Sequence, residues 1–279
     1  MTVQEALAKG TASLRATEIP APERDARLLM ALALKVDPSR ITLMAQDDIS
    51  RDDYLSFKYL IDQRREHMPI SHILGFREFY GRRFKVTGDV LDPRPDTETL
   101  VEIALQRPFA EVLDLGTGSG CIVITLLAEN AAAIGIGCDL SEDALAIAEE
   151  NATELGVAPR LGLMPANWFH GVGGTYDLIV SNPPYIALHE IEGLSWEVRD
   201  HEPRMALTDH ADGLTAYRAI AADVLQFLTP GGRLLLEIGP TQAQAVTDLL
   251  TQKGLVNVTT HPDLDGRDRV ISAYSHSLA

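Results

Sequence analysis

The sequence predicts an α/β protein: one open, mainly parallel, seven-stranded sheet preceded by a small helical domain and joined to it by a β-hairpin. Three observations carry that prediction. Apolar residues early in the chain recur at helical spacing, as in Leu28, Leu29, Leu32, Ala33 and Val36, and again in Tyr54, Phe57 and Ile61. After Leu100, short apolar runs alternate with amphipathic segments, the signature of a sheet built from β-α units. Finally, the run Val112-Leu113-Asp114-Leu115 passes straight into Gly116-Thr117-Gly118-Ser119-Gly120 and then the apolar stretch Cys121–Leu127, a strand, a glycine turn and a helix start in sequence.

The elements follow in order. Ser50, with Asp53 three residues on, resembles a capping box opening the helix that carries Tyr54, Phe57 and Ile61. Phe76, Phe79 and Tyr80, then Phe84 and Val86, flank Gly81-Arg82-Arg83 and predict a hairpin. The predicted strands are 111–115, 133–139, 160–165, 178–181, 233–238, 256–260 and 270–274. Ser141 caps a helix over 142–155, with Glu142 and Asp143 favourably placed in its first turn. Another helix runs from about Leu214 to Leu228, stopped by Pro230-Gly231-Gly232. The expected division is a helical domain over 1–72, a hairpin linker over 73–91 and a catalytic domain over 92–279.

Length and composition bound the function. At 279 residues, with 46% hydrophobic and 23% charged side chains, the chain is an ordinary globular protein of about two domains. No apolar run reaches the roughly 18 residues of a membrane span. Met1–Leu14 carries Glu5 and Lys9 in an amphipathic pattern rather than a signal peptide, so a cytoplasmic protein without membrane partners is expected. Cys121 and Cys138 read as small buried hydrophobes, and the eight histidines have no ligand spacing, so no metal is expected. Residues 1–85 hold 14 of the 24 basic and 12 of the 40 acidic side chains, which leaves 10 and 28 for the remainder. A surface that acidic repels phosphate and counts against direct nucleic-acid binding.

The glycine loop supplies the first functional reading. A glycine turn between a strand and a helix N-terminus makes a nucleotide site, since glycine permits backbone conformations and close approach that a Cβ would block. Asp139, at the end of the next strand, can accept from both hydroxyls of an unphosphorylated ribose. The spacing is G-x-G-x-G after Asp114, not the dinucleotide G-x-G-x-x-G, and this acidic loop suits a ligand bearing an amine, a carboxylate and a sulfonium. That ligand is S-adenosylmethionine.

The second reading comes from Ser181-Asn182-Pro183-Pro184-Tyr185, which follows the strand Tyr176–Val180. Ligands of open α/β sheets lie beyond the carboxyl ends of strands, so this segment should face the same crevice as the glycines. Consecutive prolines fix φ and donate no backbone hydrogen bond, leaving rigid carbonyls for a ligand. The Asn182 side-chain oxygen and the Pro183 carbonyl can each accept one hydrogen of a planar NH2, while Tyr185 stacks on its face. Such a nitrogen is a poor nucleophile, so positioning and desolvation beside the methyl donor supply the acceleration. The chemistry is methyl transfer to a planar nitrogen.

With those motifs, the sequence resembles the release-factor glutamine methyltransferases of the HemK/PrmC family over nearly its whole length. The resemblance extends to Arg64–Pro69, Ile73-Leu74-Gly75, Phe79, Pro93-Arg94-Pro95-Asp96-Thr97-Glu98, Glu202-Pro203, Asp212-Gly213-Leu214, Leu236-Glu237 and Gly266–Val270. It implies a Rossmann-like class I methyltransferase domain and an N-terminal helical domain that recognises a protein substrate. The implied reaction is methylation of N5 of the glutamine in the Gly-Gly-Gln loop of class I peptide-chain release factors, with S-adenosylhomocysteine as the by-product. Gly116, Thr117, Gly118, Ser119 and Gly120 would then surround the methionine end of the cofactor, Asp139 its ribose and Trp168 its adenine. Asn182 would border the cofactor as well as the acceptor, and Asn182, Pro183, Pro184 and Tyr185 would hold the glutamine. Arg94 and Glu98 would brace the crevice, and Arg267-Asp268-Arg269 would form a structural ion-pair cluster. Asp96, His72, His201 and Asn167 depart from the family's usual residues, and Asn167 leaves open what meets the adenine amine. Two other acceptors fit the same motif: glutamine of a ribosomal protein, and the exocyclic amine of adenine in DNA or RNA.

Overall fold

Thr2 opens the first helix, α1 (Val3–Arg15), with a capping box: its side chain accepts from the Glu5 amide while the Glu5 carboxylate accepts from the Thr2 amide. Two further helices, α2 (Pro22–Leu34) and α3 (Arg51–Arg65), complete a small bundle, followed by the single turn α4 (Ile70–Leu74). Ser50 accepts from the Asp53 amide as expected, but the Asp53 carboxylate takes the Ser50 hydroxyl rather than the cap amide. Aspartate is one methylene shorter than the glutamate of a full capping box, so half the motif forms. The bundle core is Val3, Leu14, Leu29, Met30, Ile41, Phe57 and Ile61. Helix α2 is rotated from the predicted face: Ala26, Leu29, Met30 and Ala33 are buried, whereas Leu32 is 39% exposed. The reason is Asp25, a polar residue on the buried side that hydrophobic periodicity cannot see. Its carboxylate pairs with Arg64 (2.8 Å), and both side chains are buried.

The computed structural model describes residues 1–277 and divides into two units. The first holds Met1–Phe76 together with Ser195–His201, and the second holds Arg77–Leu194 and the chain from Glu202 on. Within the first unit, Arg64 also donates to the Met68 carbonyl (2.9 Å) and to Glu197 (2.5 Å), and His67 stacks on Trp196. A segment distant in sequence is thus pinned by one guanidinium whose fork geometry serves three acceptors.

A hairpin, β1 (Phe76–Phe79) and β2 (Arg82–Lys85), starts at the last residue of the first unit's opening segment and runs into the second. Tyr80 and Gly81 both have positive φ, the signature of the type I′ turn that matches strand twist. Then come α5 (Glu98–Leu105), β3 (Glu111–Leu115), α6 (Cys121–Glu129), β4 (Ile134–Asp139), α7 (Glu142–Glu154), β5 (Leu161–Pro165) and β6 (Tyr176–Ser181). After the short α8 (Trp196–His201) and α9 (Arg204–Leu207), the chain continues through α10 (Thr215–Phe227), β7 (Leu228–Glu237), α11 (Ala243–Gln252), β8 (Val256–Pro262) and β9 (Asp268–Tyr274).

The seven-stranded sheet has the order β5-β4-β3-β6-β7-β9-β8. The first five strands of that order are parallel, while β9 is antiparallel to both β7 and β8. One face packs on α10 and α11 through Tyr217, Ile220, Val246 and Leu250, and the other on α5 and α6 through Leu100, Val101, Val123 and Leu127. Burial on both faces explains why the strands read as continuous apolar runs. Strand β7 starts earlier than predicted, running through Pro230-Gly231-Gly232 with a register irregularity opposite Tyr176 and Leu178. The break in pairing there, between Leu228 and Arg233, accommodates the proline and a positive-φ Gly231. Among the described residues no helix is long and apolar enough to cross a membrane.

Candidate active site

Strand β3 is flanked by β4 on one side and β6 on the other, so the connections leaving β3 and β6 diverge and open a crevice at their carboxyl ends. A cavity of about 330 Å³ lies there. Gly116, Thr117, Gly118, Ser119, Asp139, Trp168, Asn182 and Pro184 line it, bringing together most of the residues the sequence singled out. Gly120, Pro183 and Tyr185 do not line it.

The glycine loop is held from behind. Both the Gly116 and Thr117 amides donate to the Cys138 carbonyl (2.8 and 2.9 Å), and the Gly120 amide donates to the Thr117 carbonyl (2.8 Å). Gly116, Gly118 and Gly120 all have positive φ. A Cβ on Gly120 would lie 2.6 Å from Cδ1 of Ile124, so the packing of α6 requires a glycine here. The Thr117 hydroxyl donates to Asp114 (2.8 Å). Asp114 is fully buried with its other oxygen unpartnered, and burial pushes its carboxyl up to about 7.

Asp139 sits on the cavity with each carboxylate oxygen taking one backbone donor: Oδ2 from the Gly118 amide and Oδ1 from Ser141, both at 2.9 Å. Each oxygen keeps a further lone pair for a ligand hydroxyl, and its orientation is fixed by the loop it must serve. Trp168 adopts a left-handed backbone (φ 52°), in a turn where the His170 amide donates to the Asn167 carbonyl. Its ring lies beside the glycine loop, 4.0 Å from where a Cβ of Gly116 would stand. Asn167 also lines the cavity.

At the end of β6, the Ser181 hydroxyl donates to the Leu115 carbonyl (2.6 Å), tying the two strand ends together. Asn182 follows, its Nδ2 donating to Thr97 Oγ1 (3.3 Å). Tyr185 follows the two prolines. Its ring packs by Gly239, where a Cβ would meet it at 3.3 Å, and its carbonyl accepts from Gln242 (2.9 Å). Burial pushes its phenol up to about 12, so the hydroxyl keeps its proton.

Several contributors carried no sequence signal of their own. Asn151, buried in the middle of α7, donates to the carbonyls of Ser119 (2.9 Å) and Lys85 (3.1 Å) and accepts from the Lys85 amide, joining the glycine loop to the hairpin. A buried asparagine inside a helix is unfavourable by propensity, which is the one cue it offered. Arg94, on the cavity lining, lies 2.6 Å from both oxygens of the buried Glu202, whereas Glu98 is not on the lining and accepts from the Tyr80 amide of the hairpin. Arg269 pairs with Asp96 (3.0 Å) and Asp263 (3.3 Å), whereas Arg267 and Asp268 are exposed. His210 is exposed and on the cavity lining, with Met205 and Thr208.

Comparison with known proteins agrees with this architecture. The PrmC N-terminal domain family matches residues 5–75, and the methyltransferase small domain family matches residues 90–198. A release factor glutamine methyltransferase of Cereibacter sphaeroides is 52% identical over 98% of each chain. One of Caulobacter vibrioides is 39% identical, over 100% of this chain and 98% of its own. A methyltransferase from Pyrococcus furiosus, 15% identical, superposes with a TM-score of 0.56 over 71% of this chain and 91% of its own, which speaks to fold.

The cofactor of this class is S-adenosylmethionine, and the residues present fit it. Glycines without side chains leave the loop open to the cavity, a fixed carboxylate stands where a ribose needs acceptors, and an indole adjoins the loop where a planar base can lie. Fold, cavity and full-length similarity converge: the chain belongs to the release factor glutamine methyltransferase family.

Proposed function

We propose that this protein methylates the side-chain amide nitrogen, N5, of the glutamine in the Gly-Gly-Gln loop of class I peptide-chain release factors. The observation that carries the reading is the juxtaposition of Asn182 with the glycine loop in one cavity. Similarity spanning 98% of the chain to a relative named for this reaction supports the acceptor.

S-adenosylmethionine supplies a methyl group on a sulfonium, an electrophile with a neutral leaving group. Gly116–Ser119 would hold its methionine end, Asp139 would accept from its ribose hydroxyls and Trp168 would adjoin its adenine. Asn182 Oδ1 and the Pro183 carbonyl each accept one hydrogen of the substrate NH2, which aims the nitrogen at the methyl group. Pro183 and Pro184 have no amide hydrogen to compete for those acceptors. Tyr185 is anchored through Gly239 and Gln242, which fixes the segment that would hold the glutamine. The nitrogen turns acidic as its new bond forms, so proton loss follows methyl transfer and needs no strong base.

The acceptor is tested with a panel. A class I release factor, ribosomal proteins and adenine-containing DNA are incubated with the protein and methyl-labelled cofactor. Label on the release factor alone is expected. Label on a ribosomal protein or on DNA instead would keep the chemistry and overturn the acceptor.

A further inference from the structure

A carboxamide has two ends of nearly equal shape, and only one of them is useful here. With its oxygen toward the substrate, Asn182 accepts from the glutamine NH2; rotated by half a turn, it would oppose donor with donor. Something must choose between the two orientations. Thr97 Oγ1, 3.3 Å from Asn182 Nδ2, is the contact at the far end of the amide. A hydroxyl cannot choose alone, because it can either donate or accept.

Glu237 resolves the choice. It ends β7, one residue past Leu236, which is the register partner of Ser181, and so lies alongside Asn182. Thr97 hydrogen-bonds to its carboxylate. Thr97 and Glu237 are 2% and 1% exposed, and one Glu237 oxygen has no partner. The nearby guanidinium groups are engaged elsewhere, Arg269 with Asp96 and Asp263 and Arg94 with Glu202, and among the described residues Glu237 forms no ion pair. Burying a carboxylate without a paired cation is costly, and an apolar side chain would pack there at lower cost. Burial pushes the Glu237 carboxyl up to about 7; above that pH the ionised carboxylate accepts only, so it takes the Thr97 hydrogen and leaves that oxygen's lone pairs to Asn182 Nδ2. Thr97 is itself fixed: it ends a short 3-10 turn, Pro95–Thr97, its amide donates to the Arg94 carbonyl (3.1 Å), and neighbouring Asp96 is tied to Arg269.

We infer that Thr97 and Glu237 are positioning residues that polarise the chain Asn182–Thr97–Glu237 and so hold Asn182 Oδ1 toward the substrate nitrogen. The inference rests on the glutamine-methylation reading above.

The test measures kcat and KM for the release factor, and cofactor affinity by calorimetry, in Thr97→Val, Thr97→Ser and Glu237→Gln, with thermal melting as the folding check, all at a pH above the value of about 7 at which Glu237 ionises. Thr97→Val should lower kcat by about 10- to 100-fold, since a misaimed reactant costs rate rather than binding. Its KM and cofactor Kd should stay within about threefold, and Thr97→Ser should restore kcat to within about threefold of the parent. Glu237→Gln, whose amide can both donate and accept, should lose several-fold in kcat, less than Thr97→Val. An unchanged kcat in Thr97→Val, no rescue by serine, or a cofactor-affinity loss as large as the rate loss would overturn the inference. If Thr97→Val does not fold, an unchanged kcat in Glu237→Gln does the same. Should the parent protein label a different acceptor, the proposed substrate fails separately, and the same variants are measured on the acceptor that is labelled.

Discussion

Asn182 and Asp139 face one cavity but are asked for different things. In the proposed reaction Asn182 would act on the substrate nitrogen, so its effect belongs in the rate, and Asp139 would act on the ribose, so its effect belongs in cofactor binding. Asn182→Ala is expected to lower kcat by at least about 100-fold with cofactor Kd within a few-fold, and a large loss of cofactor binding by calorimetry would refute the division. Asp139→Ala should weaken cofactor binding first, by about 10- to 100-fold, the scale of one or two hydrogen bonds to a charged group. An unchanged Kd would overturn the ribose assignment. Asp114 affects stability instead. Burial raises its carboxyl from 3.8 to about 7, so between those pH values the folded state binds the proton more tightly than the unfolded chain does. That contribution to stability is full below about pH 4 and lost as pH rises through about 7. Asp114→Asn, which cannot ionise, should therefore gain on the parent in urea midpoint as pH rises across that window. Parallel curves would contradict it.

Among the elements, the glycine turn makes the sharpest quantitative case. Gly120 has φ of 79° and no room for a Cβ beside Ile124, while Gly118, at φ 55°, faces open space. Gly118→Ala should cost the left-handed backbone alone, about 1–2 kcal/mol. Gly120→Ala adds overpacking of about 1–3 kcal/mol to a similar strain. Equal losses in chemical denaturation would show that α6 yields where the packing says it cannot. The sequence announced this turn, the hairpin at Tyr80-Gly81 and all seven strands because each is a local pattern of period or punctuation. Helix α2 shows the limit of that logic. Its apolar stripe pointed to Leu32, but the buried Asp25–Arg64 pair turned the helix so that Leu32 faces out. A polar residue bought into the core by a distant partner leaves no periodic trace.

For the molecule as a whole, the same contrast separates what could be read from what could not. The Asn-Pro-Pro-Tyr segment and the glycine loop were legible as motifs, and their meeting followed from the rule that ligands collect at a switch point in strand order. The polar ties that shape the site join residues 66 to 108 positions apart, as in Lys85–Asn151, Asn182–Thr97 and Arg94–Glu202, and no window of sequence contains both partners. The membership of Ser195–His201 in the helical unit was invisible for the same reason. Charge gives a consistent picture at this scale. The chain carries a formal −16, which disfavours an extended phosphate backbone as substrate and is compatible with a protein loop.

The most direct measurement of the central claim is intact-mass analysis of a class I release factor after incubation with this protein and S-adenosylmethionine, run beside a variant whose Gly-Gly-Gln glutamine is alanine. The account predicts a gain of one methyl group on the native factor, with fragmentation placing it on the glutamine side chain, and no gain on the variant. Equal gain on both, or none on the native factor, would contradict it.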